Sequence, residues 1–116
     1  MSEPQISPKD PVLRVAVTSS RGTAVDQHFG RAERFLIFEI GPGEAHFLEA
    51  RPRPEAPREG DFDPVAELLS DCRAVLTEKA GPHPRERLEK RGILCLEVSG
   101  GLIPAFAKAR EVLGIG

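Results

Sequence analysis

The sequence predicts a single α/β domain in which three helices cover a five-stranded mixed sheet. Its 116 residues match the size of one ordinary domain, and a hydrophobic content of 40% suffices for one packed core. Segments with strand character and segments with helical spacing follow one another in the order β-β-β-α-β-α-β-α. Strands separated by helices are expected to run parallel through right-handed crossovers, and a hairpin supplies one antiparallel strand.

The first half of the chain is predicted to form three consecutive strands. Short runs rich in β-branched or aromatic residues indicate these strands at residues 12–18, 35–40 and 44–50. A polar loop follows the first strand and ends at about Arg34. The segment Gly41-Pro42-Gly43 is typical of a tight turn, so the second and third strands are expected to form a hairpin.

Two proline-rich segments are predicted to lie outside the regular elements. Residues 1–11 hold three prolines and few apolar groups, which indicates a disordered leader before a single domain at residues 12–116. Residues 51–60 also hold three prolines. Because proline cannot donate a hydrogen bond to a β-ladder, this second segment is predicted to be an exposed connector.

The second half of the chain alternates helices and strands. Asp63-Pro64 is a helix-start signal, since aspartate can cap a helix and proline is tolerated at its first position. Val65, Leu68 and Leu69 give this helix an apolar face. The remaining elements are predicted as strands at residues 73–77 and 93–98 and helices at 82–91 and 102–113.

Composition and charge exclude several classes of function. A net charge of −2 argues against a nucleic-acid-binding protein, which usually carries a basic balance. No apolar run approaches the roughly 20 residues of a membrane helix, and the N-terminus lacks the apolar core of a secretory signal. We therefore expect a cytoplasmic protein with no membrane partner. No pattern indicates an obligate dimer, so a monomer is expected.

The predicted topology brings three loops to one edge of the sheet. Ligands of such folds bind outside the carboxyl ends of the parallel strands. The loops that leave these ends span residues 19–34, 78–84 and 99–101. His28 and His83 lie in these loops, whereas His46 and Cys72 are expected at the opposite edge and Cys95 in the core. These two cysteines form no CxxC motif, which excludes a site of four thiolates.

The loop after the first strand contains the segment VDQHFGRA at residues 25–32. Imidazole is the commonest neutral metal ligand, and Asp26 is positioned in sequence to orient the second nitrogen of His28. Arg21, Arg31 and Arg34 place positive charge nearby.

The same segment also has a purely structural interpretation. In that interpretation Val25 and Phe29 fill the core, His28 is a polar loop residue and Gly30 makes a turn. Residue types alone favour this interpretation, because a lone histidine in a loop is usually not a ligand.

Several segments resemble the motifs of a known family. They are VAVTSS at 15–20, VDQHFGRA at 25–32, the strand at 35–40, DCRAVL at 71–76 and LEKRGI at 88–93. These segments are similar to the dinitrogenase iron–molybdenum cofactor biosynthesis family, which contains NifX, the core of NafY and the C-terminal domain of NifB. The resemblance covers residues 12–113.

The resemblance implies a ribonuclease H-like, three-layer α/β/α fold with strand order 3-2-1-4-5 and an antiparallel second strand. It also implies that His28 helps to bind the iron–molybdenum cofactor or its iron–sulfur precursor as transient cargo. Members of the family act as carriers or holding proteins and perform no known turnover. The resemblance therefore implies a non-catalytic role in nitrogen fixation, with nitrogenase assembly proteins as partners.

One histidine is a sufficient ligand for a preassembled cluster. Such a cluster brings its own sulfides, so a carrier needs only one or two protein ligands and groups that complement negative charge. We expect His28 to be the metal ligand, with His83 across the pocket, although the prolines beside His83 also fit an exposed helix start. The other expected binding residues are Asp26, Phe29, Gly30, Arg31, Ser19, Ser20, Arg21, Lys79, Arg85, Gly100 and Gly101. Cys72 is expected to be a small buried hydrophobe rather than a ligand.

Two alternative functions are considered. A regulatory or protein-interaction module of the same fold would use the same loop to contact a partner, with no bound metal. A nuclease would need several carboxylates on the central strands to hold magnesium. The first strand offers none, and Glu39 and Glu97 stand alone on other strands. Enzyme activity is therefore not expected.

Overall fold

A five-stranded sheet crosses the middle of the molecule in this computed structural model, which describes residues 12–115. The predicted leader at residues 1–11 lies outside the described residues. The strands are β1 (Leu13–Val17), β2 (Ala24–Val25), β3 (Arg34–Ile40), β4 (Ala45–Pro52), β5 (Ala74–Thr77), β6 (Leu94–Glu97) and β7 (Gly100–Gly101). The helices are α1 (Asp63–Leu68), α2 (Pro82–Glu89) and α3 (Leu102–Leu113), with one 3-10 turn at Phe29–Arg31.

The main sheet has the order β4-β3-β1-β5-β6. Strand β3 runs antiparallel to both β1 and β4, whereas β1, β5 and β6 are parallel neighbours. Counted along the five main strands, this is the order 3-2-1-4-5 with an antiparallel second strand. The predicted architecture is confirmed, and it leaves the carboxyl ends of β1, β5 and β6 at one edge.

The core has two layers, one on each face of the sheet. Strand β1 shows the alternation that produces them, because Val15 and Val17 point towards α3 while Ala16 points towards α1 and α2. All three residues are fully buried. Phe106 of α3 packs in the first layer and Leu69, which follows α1, in the second. Helices on both faces of a mixed sheet form the predicted three-layer arrangement.

A second, two-stranded sheet was not predicted. Strand β2 lies within the loop expected to be wholly irregular, and it pairs antiparallel with β7 through Ala24 with Gly101 and Val25 with Gly100. Gly100 has a φ of +100°, a conformation that side-chain-bearing residues rarely adopt. Two-residue strands have no periodicity that a sequence pattern reveals, so only the folded chain shows this contact between the first and third loops.

The connector begins at residue 53, two residues later than predicted, because β4 extends into the proline-rich segment. Strand β4 continues to Pro52, which an edge strand tolerates because its outer side has no partner strand. Arg51 donates hydrogen bonds to both carboxylate oxygens of Asp71, at 2.8 and 2.9 Å. The next residue after the strand, Arg53, is also partly buried. Within residues 12–115, no helix is long and apolar enough to cross a membrane.

Candidate functional site

The three predicted loops do meet at one edge of the sheet. Pairing of β2 with β7 joins the first loop to the third, and a parallel bridge between His28 and Lys79 joins the first loop to the second. The site is therefore built by backbone contacts between segments that are distant in sequence.

The backbone on both sides of His28 is firmly held. Phe29 N donates a hydrogen bond to Lys79 O at 2.8 Å, and Glu78 N donates one to Gln27 O at 3.1 Å. The buried hydroxyl groups of Thr18 and Thr77, at the ends of β1 and β5, lie 2.8 and 3.1 Å from the same Gln27 oxygen. These contacts hold the backbone on both sides of His28 and so fix the position from which its side chain projects.

The turn after His28 is anchored to the core by Phe29 and Arg53. The Phe29 ring is fully buried and packs against Phe35 at a centroid distance of 5.6 Å. The Arg53 guanidinium donates hydrogen bonds to the carbonyl oxygens of Phe29 and Ala32, both at 2.8 Å, and lies 5.5 Å from the Phe29 ring centroid. Phe29 was expected among the binding residues, but its ring lies inside the protein and supports the site from below.

The His28 side chain points into a shallow depression at the surface. The depression has a volume of about 310 Å³ and is lined by Asp26, Gln27, His28, Arg31 and Glu78. The imidazole is 55% exposed, and its Nε2 atom lies 3.9 Å from Glu78 Oε1. The lining was expected to be cationic, but it combines one guanidinium and one imidazole with two carboxylates.

Asp26 has a different partner from the one expected. Its carboxylate accepts hydrogen bonds from Ser20 N at 2.8 Å and from Ser20 Oγ at 2.6 Å, and these bonds lower the pKa of the carboxyl group. It therefore closes the loop between Ser20 and Asp26 instead of orienting His28. Ser19 is buried, and its Oγ accepts a hydrogen bond from Gly22 N at 2.8 Å. Both serines thus shape the loop.

The structure separates His83 and Arg85 from His28. His83 lies in a second depression and packs edge-to-face against Phe62, with ring centroids 5.8 Å apart. The expectation that the two histidines face one pocket is wrong, because the start of α2 directs His83 towards the connector. Arg85 donates to Cys95 O at 2.8 Å and lies 3.2 Å from a Glu97 oxygen, so its charge is already compensated within the protein.

Several expected binding residues are exposed near His28. Arg21, Gly30, Arg31 and Lys79 are all exposed. Across residues 12–115, the side chains of Arg21, Arg31 and Lys79 form no ion pair within 4.0 Å. These three cations can therefore interact with a ligand without first breaking an internal salt bridge.

Gly100 and Gly101 lie at the N-terminus of α3. Gly101 is the residue before the first turn of this helix, and Leu102 N donates to Thr23 O at 3.3 Å. Both glycines are exposed on the β7 side of the edge, where their main contacts are the backbone of β2. The structure thus gives them a role in joining the loops.

The remaining ligand-type residues lie away from this edge. Cys72 and Cys95 are buried, as predicted, and burial raises the pKa of the Cys72 thiol to about 12. His46 pairs with Glu39 in the β3–β4 ladder, at the opposite edge of the sheet. In the described part of the chain, no group of three or more His, Cys, Asp or Glu side chains is arranged to hold a metal ion. The site therefore offers one exposed imidazole rather than a metal cage.

Comparison with known proteins gives consistent matches over most of the chain. A family profile described as dinitrogenase iron–molybdenum cofactor matches residues 11–111. The FeMo cofactor biosynthesis protein NifB of Frankia alni is 41% identical over 95 residues, covering 75% of this chain and 19% of that protein. Protein NifX of Azotobacter vinelandii is 32% identical over 93 residues, covering 78% of this chain and 59% of that protein.

A solved structure shares the fold over nearly the whole chain. The crystal structure of PH0822 superposes with a TM-score of 0.63 at 25% identity, covering 89% of this chain and 93% of that one. By contrast, the chain spans less than two thirds of the length of the NifB and NifX relatives. The similarity therefore concerns only part of each of those proteins.

Proposed function

The chain belongs to the dinitrogenase iron–molybdenum cofactor family, and on this basis we propose that it is a non-catalytic carrier of the iron–molybdenum cofactor or its iron–sulfur precursor. His28 supplies the protein ligand. One observation carries the proposal. The His28 imidazole is 55% exposed, while the backbone on both sides of it is hydrogen-bonded to the loop after β5. Nitrogenase assembly proteins in the cytoplasm are the proposed partners.

The donor set of the site suits a cluster better than a single metal ion. A mononuclear structural site needs three or four protein ligands, and the depression around His28 has one imidazole and two carboxylates, of which Asp26 is already bonded to Ser20. A preassembled cluster brings bridging sulfides that satisfy most of its iron coordination. One imidazole then adds affinity without enclosing the cargo, which allows transfer to a recipient.

Rigid placement makes this single ligand effective. A ligand on a mobile loop loses conformational entropy when it binds, and that loss weakens the complex. At His28 much of this cost is met on folding, through the hydrogen bonds of Gln27 and Phe29 to the β5 loop. The exposed cations Arg21, Arg31 and Lys79 supply long-range attraction for an anionic cluster.

A nuclease function is disfavoured, because the central strands lack the carboxylates that would bind magnesium. Strand β1 has no carboxylate, and the ends of β1 and β5 present Thr18 and Thr77, which are buried and bonded to Gln27. Glu39 is paired with Arg14, and Glu97 accepts a hydrogen bond from Ala80 N. Among residues 12–115, neither carboxylate belongs to a group of three or more His, Cys, Asp or Glu side chains that could hold a metal ion.

The proposal is tested by anaerobic gel filtration of the protein after mixing with isolated iron–molybdenum cofactor. Wild type is expected to elute with the visible absorbance of the cluster, and His28→Ala is expected to lose it. His83→Ala and His46→Ala are matched controls, because each removes an exposed imidazole outside the His28 depression.

Two results would count against the carrier role. If wild type retains no cluster, the chain acts instead as a regulatory or protein-interaction module without metal. If His28→Ala retains as much cluster as wild type while one of the control variants loses it, the cargo binds elsewhere on the domain.

A further inference from the structure

We propose that Glu78 is a second protein ligand of the cargo, binding iron through its carboxylate beside the His28 imidazole. This inference rests on the proposed function and adds a residue to its site. Glu78 lies in the loop after β5, and neither the sequence motifs nor residue type alone singled it out. The relevant observation is the pair formed by Glu78 Oε1 and His28 Nε2, which lie 3.9 Å apart.

The separation of the two atoms suits a shared metal. A nitrogen and an oxygen ligand each bond to a first-row metal at about 2.1 Å, so two such atoms on one metal lie roughly 3–4 Å apart. Glu78 and His28 therefore need only a small rotation of exposed side chains to reach the same iron. With exposures of 41% and 55%, neither side chain has to leave a packed environment to do so.

The backbone keeps the two residues together. Glu78 N donates to Gln27 O, and Phe29 N donates to Lys79 O, so the two loops run side by side like neighbouring strands. The side chains of residues 28 and 78 line one depression, whereas Asp26 in the same depression is bonded to Ser20. Glu78 is thus the carboxylate of this lining that is available to a ligand.

Electrostatics predicts in which direction the affinity for the cluster changes when the charge of Glu78 is removed. A carboxylate beside an anionic cluster repels it unless the carboxylate binds iron directly. Removing the charge of Glu78 therefore strengthens cluster binding if the residue is a bystander and weakens it if the residue is a ligand. The two interpretations predict opposite changes in one measured affinity.

The test compares Glu78→Gln and Glu78→Ala with Glu33→Gln by anaerobic titration of each protein with isolated iron–molybdenum cofactor. Glu33 is a matched control, because its exposed carboxylate lies at the same edge of the sheet but lines a different depression. We expect both Glu78 variants to bind at least about tenfold more weakly than wild type. Glu33→Gln is expected to bind as well as wild type or slightly more tightly.

The outcomes separate this inference from the carrier proposal. If the Glu78 variants bind as tightly as wild type or more tightly while His28→Ala loses the cluster, Glu78 is no ligand and the carrier role stands. If wild type binds no cluster, both proposals fail. Pulsed electron paramagnetic resonance provides a second readout, since the imidazole nitrogen signal should persist in cluster-loaded Glu78→Gln. Loss of that signal would mean that the variant disturbs His28 and would overturn a direct role for Glu78.

Discussion

Replacing Arg53 with methionine tests how the site is held in place. The guanidinium donates to Phe29 O and Ala32 O at 2.8 Å each and lies over the Phe29 and Phe35 rings at 5.5 and 5.7 Å. A hydrogen bond from a charged donor contributes about 1.5 kcal/mol or more, and an exposed cation–π contact about 0.5 kcal/mol. Methionine keeps part of the hydrocarbon packing, and water can reach the released carbonyl groups.

The expected loss of unfolding free energy for Arg53→Met is therefore about 2–3 kcal/mol. Urea denaturation followed by circular dichroism measures it, and the slope of the transition should match that of wild type. Arg53→Lys is the matched control. It keeps a charged donor, but its ammonium group cannot lie flat on the Phe29 and Phe35 rings as the guanidinium does, so its unfolding free energy should fall between those of wild type and Arg53→Met. A loss below about 0.5 kcal/mol for Arg53→Met would contradict this account of the turn.

The effect should extend to His28. Because Arg53 holds the turn that begins after this histidine, its loss should increase the mobility of the imidazole. Nuclear magnetic resonance detects this as a sharper and less dispersed His28 ring signal, with the His46 signal as an internal reference. An unchanged His28 signal in a destabilised Arg53→Met protein would show that the turn is held by Phe29 alone.

Three further predictions follow from the contacts of individual residues. Arg51 and then Arg14 lower the pKa of the Asp71 carboxyl group, so the stability that this group contributes is present above its usual pKa of 3.8 and is lost as the pH falls below it. Asp71→Asn should cost about 1–2 kcal/mol at neutral pH, and its difference from wild type in urea denaturation should shrink on acidification. Phe29→Ala should cost about 3–5 kcal/mol, because it removes a fully buried ring; a loss below 1 kcal/mol on thermal unfolding would contradict that placement. Cys72 should react with iodoacetamide only after unfolding, since burial raises its pKa to about 12, and fast labelling of the folded protein would show that the thiol is accessible.

The fold was predictable because its signals are local and agree with one another. The buried strand at 13–17, the hairpin and the alternating helices and strands of the second half each leave a pattern in the chain. Their order allowed few topologies, and the observed one has the predicted strand order. The pairing of β2 with β7 was missed because it rests on two residues from each loop.

The partners of the site residues were harder to predict, because they depend on contacts between distant segments. Asp26 lies two residues from His28 in sequence, yet its carboxylate bonds to Ser20. Glu78 is fifty positions from His28 in sequence, yet its Oε1 atom lies 3.9 Å from the Nε2 atom of His28. The sequence predicted the edge of the sheet at which His28 lies. The charge of the depression could not be predicted, because it depends on which distant side chains the fold brings together.

A cue for Arg53 was present but hard to interpret. It stands in a segment of alternating arginine and proline, which is typical of an exposed connector. Its position directly after an edge strand, opposite the turn that follows His28, gives its side chain two carbonyl acceptors and two aromatic rings. No local pattern reports such a contact.

Pulsed electron paramagnetic resonance of the cluster-loaded protein tests the central claim most directly. The electron spin of the bound cluster is coupled to any nitrogen that ligates its iron, and histidine with isotopically labelled imidazole identifies that nitrogen. We expect an imidazole coupling that changes with the label, persists in His83→Ala and is absent from His28→Ala. A loaded wild-type protein with no imidazole coupling, or with one that persists in His28→Ala, would show that this histidine does not hold the cargo.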